Sequence, residues 1–165
     1  MSVNCAWRTR ISLDRKPERL VILGMRGWIA GYETGDISCW EAVWNDHARE
    51  VGPLAAKRIV SELSGWVRIM RSEGCRGVAC YPRPCRFMCR DECLALRMIA
   101  SCQNGLRAVA EESGRQLVEI DRVDEFLAAA DAYAAELSGA GLDLIPIPSE
   151  VIAMAPRDPS GRSVN

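Results

Sequence analysis

Apolar residues recur along this chain at three- and four-residue intervals, the spacing of one face of an α-helix. Leu20, Val21, Met25, Trp28 and Ile29 form the first stripe. Pro17 suits its first turn and Gly31 its stop, so a helix is expected from about 17 to 30. Thr34-Gly35-Asp36 has turn chemistry, after which Ser38 and Glu41 stand at capping-box spacing and Trp40, Val43, Trp44 and His47 share one face. Gly52-Pro53 closes that helix and opens a third, with its stripe at Ala56, Ile59, Val60, Leu63, Val67 and Met70. The period then fails between 74 and 85, where Pro82 and Pro84 hold their neighbours away from helical geometry. It resumes near Cys89 and runs through Cys93, Leu94, Met98, Ile99, Cys102, Leu106 and Val109 to about 112. Asp121 opens a fifth helix that turns Phe126, Leu127, Ala130, Tyr133, Ala134 and Leu137 inward.

Short connections between such stripes predict an all-α, single-domain bundle of about five helices, with minor short strands near 77–81 and 116–120. Residues 1–14 show no period and are expected to be a loose N-terminal arm. Residues 15–155 form the helical domain, interrupted by a cysteine-rich loop at 75–93. Leu142 to Ile147 is expected to pack along the body in extended form. Residues 156–165, rich in proline and polar groups, are expected to be a disordered tail.

Composition narrows the function classes. A formal net charge of −1 argues against a protein that coats nucleic acid, and no helix-turn-helix or aromatic RNA-reading pattern is present. The apolar run at Leu20–Met25 is cut by Arg26, too short for a membrane span or an export signal. The expected compartment is therefore the cytoplasm, where disulfides are rare and eight cysteines read as thiols or metal ligands.

Five of the eight fall in the stretch CRGVACYPRPCRFMCRDEC, residues 75–93. A tetrahedral zinc site needs four sulfurs gathered around one ion, which a proline-held loop delivers more easily than a helix. Cys89 and Cys93, four apart, share a face of the helix start. Cys80, Cys85, Cys89 and Cys93 are accordingly the expected ligands of one zinc ion or iron–sulfur cluster, with Cys75 as substitute. Cys102 lies about 180° round the helix from Cys93 and is excluded. Arginines at 68, 71, 76, 83, 86, 90 and 97, together with the helix start, are expected to favour thiolates. Paired C-x2-C knuckles are absent, so the spacing matches no standard ribbon or ferredoxin run.

The expected function is a cytoplasmic metal-binding protein of accessory or regulatory role. One alternative is a metal-free helical interaction module whose cysteines are buried packing residues. Another is a thiol redox sensor or enzyme. A protein partner or homo-oligomer is expected, rather than nucleic acid or a membrane. His47 is the only histidine, which restricts hydrolase chemistry; packing is its default role and an extra ligand the minority one. No catalytic residue set, phosphate loop or dinucleotide fingerprint is present.

Overall fold

A computed structural model describes residues 13–72 and 77–157. The expected arm, apart from Leu13 and Asp14, lies outside the described residues, as do Cys75 and the tail from 158 onward. The described chain is all-helical: α1 (Lys16–Thr34), α2 (Ile37–Val51), α3 (Pro53–Met70), α4 (Arg90–Gln103), α5 (Arg107–Arg115), a 3-10 turn (Ile120–Arg122), α6 (Val123–Gly139) and α7 (Ser149–Met154). Helices α1, α2 and α3 pack on one another, α3 packs on α6, and α4 is wedged against α5, α6 and α1.

The core follows the predicted stripes. Leu63, Trp66 and Met70 of α3 are fully buried, as are Phe126, Tyr133 and Leu137 of α6. The Trp66 ring stacks between Phe126 at 5.9 Å and Tyr133 at 5.5 Å. The helix count differs from five for two reasons. The fourth stripe breaks at Asn104-Gly105, where Gly105 turns into the left-handed region (φ 70°) and Asn104 Nδ2 donates to Ala100 O. The chain also closes with the short α7, which packs on α4.

Gly31 does not stop α1. It is a contact glycine: a Cβ there would lie 2.2 Å from Trp40 Nε1, and one at Gly27 would lie 2.5 Å from Val43 Cγ2. A Cβ at Gly24 would lie 2.9 Å from Leu63 Cδ2. Three absent side chains thus let α2 and α3 approach α1 closely. The helix ends at Gly35, in the left-handed region with φ 69° and its N–H on Gly31 O.

No strand forms among the described residues, which corrects the expectation at 77–81 and 116–120. At 77–81 the N–H groups of Ala79 and Tyr81 bond to carboxylates rather than to a neighbouring strand. At 116–120 the N–H groups of Leu117 and Val118 wrap back onto Gly114 O at the end of α5. The extended segment after α6 does pack along the body. Leu142, Leu144 and Ile147 are buried, while Gln103 bonds the backbone of Leu142 and Leu144 and Glu18 that of Ile145. The ordered contact reaches past Ala155, since Pro156 O accepts from Arg90 N at 2.8 Å.

Candidate functional site

The cysteine-rich loop is held by carboxylates and one guanidinium. Asp91 and Glu92 sit in the first turn of α4, where acids complement the helix dipole. Here they also reach backward. Asp91 Oδ2 accepts from Ala79 N (2.8 Å), and Glu92 Oε1 accepts from Tyr81 N (3.3 Å) and from Cys89 N (3.1 Å). Cys89 is the N-cap of α4, so Glu92 closes the helix start and ties the loop to it in one arrangement.

Arg26 crosses from α1 to complete the clasp. Its Nε donates to Glu92 Oε2 at 2.5 Å, Nη1 to the carbonyls of Cys85 (2.6 Å) and Arg83 (3.3 Å), and Nη2 to Phe87 O (2.8 Å) and Glu92 Oε1 (3.2 Å). A guanidinium has five N–H donors, and all five are spent. The side chains of the pair are 2% and 0% exposed. Two charges are removed from water only where geometry and extra hydrogen bonds repay their desolvation, and the three loop carbonyls supply those bonds.

The thiols take their state from these surroundings. Cys93 is fully buried within the hydrophobic core, and Cys85 is half-buried in a turn closed by its N–H on Pro82 O. Cys89 is also fully buried, and its Sγ donates to Ala79 O at 3.1 Å. Burial foremost, then the Glu92 carboxylate, pushes the Cys80 and Cys89 thiols far above their ordinary range. This corrects the expectation of arginine-stabilised thiolates. Arg83 pairs with Asp46 and Arg86 with Asp14, Arg90 bonds Gln116, and Arg26 is committed to Glu92. Cys102 stands apart, with its thiol pushed up to about 12 by burial and by its hydrogen bond with Asp131 of α6.

Among the described residues, no group of three or more Cys, His, Asp or Glu side chains is placed to hold a metal ion, Cys80, Cys85, Cys89 and Cys93 included. Cys80 and Cys89 stand close enough for the charge of one thiolate to oppose that of the other. His47 is buried, with Nδ1 on Val43 O at 2.8 Å and its ring against Gly24. Burial lowers its pKa below the ordinary 6.5.

Beside the clasp lies a cleft of about 370 Å³. Ile29 and Ala30 of α1, Cys39 of α2, and Val78, Cys80 and Pro82 of the loop form its largely apolar wall, with Arg26, Glu33 and Arg83 as charged members. Next to it Trp28 stacks on Trp40 (5.1 Å), Trp40 Nε1 donates to Trp28 O, and Tyr32 meets Trp40 edge-on. Sequence reasoning missed Arg26 because a single arginine inside an apolar stripe carries no period. The one available signal was that an arginine interrupts the buried face of α1, where an unpaired charge is not tolerated.

Fold and site together define an all-α protein with an arginine-clasped cysteine loop. No protein-family model, curated protein or solved structure matches the chain. Among the described residues, no helix is long and apolar enough to cross a membrane.

Proposed function

We propose that this chain is a helical interaction module in which the clasped loop is a fixed wall of a cleft that receives an apolar segment of a partner protein. The observation that carries the reading is the Arg26 clasp. It consumes the loop's inward carbonyls, so the wall is held by the protein's own groups. Arg26 also has no donor left for a ligand, so the apolar residues of the cleft supply most of the contact surface. Peptides selected from a random library against the folded protein should carry apolar centres and should lose binding to an Ala30→Glu variant. If no selected peptide depends on that substitution, the cleft is not the recognition site.

A second reading keeps a zinc or iron–sulfur centre, and the adjacency of Cys80 and Cys89 at the helix start favours it. Elemental analysis of protein purified without chelator separates the two. Stoichiometric zinc or iron would support the centre. Less than about 0.2 metal per chain, with the loop protected from hydrogen exchange, would support the module.

A further inference from the structure

Three separate bonds bracket Cys80 against the first turn of α4. Ala79 N is held by Asp91, Tyr81 N by Glu92, and Ala79 O by the Cys89 thiol. The Ala79 carbonyl oxygen belongs to the peptide that leads into Cys80, about 2.8 Å from the Cys80 Cα by standard dimensions. With Cys89 Sγ 3.1 Å from that oxygen, the sulfur lies no more than about 6 Å from the Cys80 Cα. The Cys89 Cα lies about 2.8 Å from its own sulfur, so the two Cα atoms are no more than about 9 Å apart. A disulfide spans about 4.4–6.8 Å, and closing to that range takes side-chain rotation together with a movement of the loop backbone. Cys80 lines the cleft and is reached from solvent, whereas Cys89 lies fully buried behind it.

We propose that Cys80 and Cys89 are a reversible redox pair, oxidised to a disulfide by low-molecular-weight disulfides that enter through the cleft. Cys80 sulfur attacks one sulfur of R–S–S–R, the S–S bond breaks, and the first RSH leaves with the Cys80 proton. Cys89 sulfur then attacks the Cys80 sulfur of the mixed disulfide, and the second RSH leaves with the Cys89 proton. The protein loses two electrons and two protons, and the small disulfide gains them. The new bond replaces the Cys89 hydrogen bond to Ala79 O and withdraws the Cys80 thiol from the cleft wall. Because both sulfurs are held protonated, the exchange is slow near neutrality and gains about tenfold in rate per pH unit in alkali. The pair thus responds to sustained oxidation rather than to brief pulses. The inference does not depend on what the cleft binds.

The test uses the full chain, folded, with oxidised glutathione. Trypsin cuts after Arg86 and Arg90, and a Cys85→Ser background leaves Cys80 as the one cysteine of peptide 77–86. The expected product is peptide 77–86 linked to 87–90, two hydrogen masses lighter and restored by dithiothreitol. Fragmentation of the same linked pair from unmutated protein checks the background substitution. Cys89→Ser should instead trap a glutathione adduct on Cys80. Retention of glutathione on Cys80 in the unmutated protein, linkage of either thiol to another cysteine, or two thiols still open to alkylation after long exposure would each overturn the pair.

Discussion

The α3–α6 interface and the Arg26–Glu92 clasp of the cysteine loop are both buried, yet opposite kinds of force hold them. Between α3 and α6, Trp66, Phe126 and Tyr133 stack without direction-dependent bonds, and the interface leaves the Trp66 Nε1 and Tyr133 hydroxyl without hydrogen-bond partners. In the loop, every donor of Arg26 is matched to an acceptor. Apolar burial scales with area and tolerates an imperfect neighbour. A buried charge does not, because each unmatched group carries its full desolvation penalty. The first region loses stability in proportion to the apolar contact removed, and the second is all-or-none.

Breaking the clasp should have the largest effect. Glu92→Gln keeps the shape but leaves the Arg26 charge without its counter-charge, which should cost about 3–5 kcal/mol in urea unfolding. Truncating the exposed partner in Arg58–Glu136, as Arg58→Ala, should cost under about 1 kcal/mol and serves as control. A Glu92→Gln loss no larger than the control would mean that the pair does not hold the loop.

Leu63→Ala should cost about 2–5 kcal/mol, since Leu63 is fully buried and packs into the space left by Gly24. Its signature should differ in kind. It should lower the stability of the whole bundle, whereas Glu92→Gln should expose the amides of 77–89 to exchange before global unfolding. Identical exchange patterns in the two variants would erase the distinction between the regions.

The smallest effect is expected at His47. Its folded pKa lies below 6.5, so below that pH the unfolded chain takes up a proton that the folded chain refuses. Its contribution to stability is present above pH 6.5 and is lost as pH falls toward the folded value. The melting temperature of wild type should therefore fall more steeply from pH 7 to 5 than that of His47→Gln. Parallel curves would show that the ring protonates without resistance.

Legibility in the sequence follows the same division. The stripes at 56–70 and 126–137 are periodic, and periodicity is what burial against a neighbouring helix requires. Spacing alone therefore places the residues at those positions on the buried faces. The break at Asn104-Gly105 was less visible because Cys102, Leu106 and Val109 continue a helical spacing across it. The clasp joins Arg26 to Glu92 across 66 positions and depends on backbone carbonyls, which leave no residue-type signature. Asp91 and Glu92 stand where a first helical turn favours acids, and that local role conceals their longer reach. The cysteine spacing singles out the 75–93 segment while saying little of what holds it, because sulfur content does not reveal whether thiols face one another, the core or a carbonyl.

The glycines of α1 limit how this protein can drift over evolutionary time. A substitution at Gly24, Gly27 or Gly31 adds only a few atoms, yet those atoms would fall inside Leu63, Val43 or the Trp40 indole. The flanking helices would then have to step away, shifting Cys39 across the cleft from Ala30 and Val78. Sequence change is consequently cheap on the outer faces and expensive along one line of missing side chains. A lineage could diversify its cleft by altering the rim or the 78–83 loop, whereas moving the helical wall requires rebuilding the helix pair beneath it.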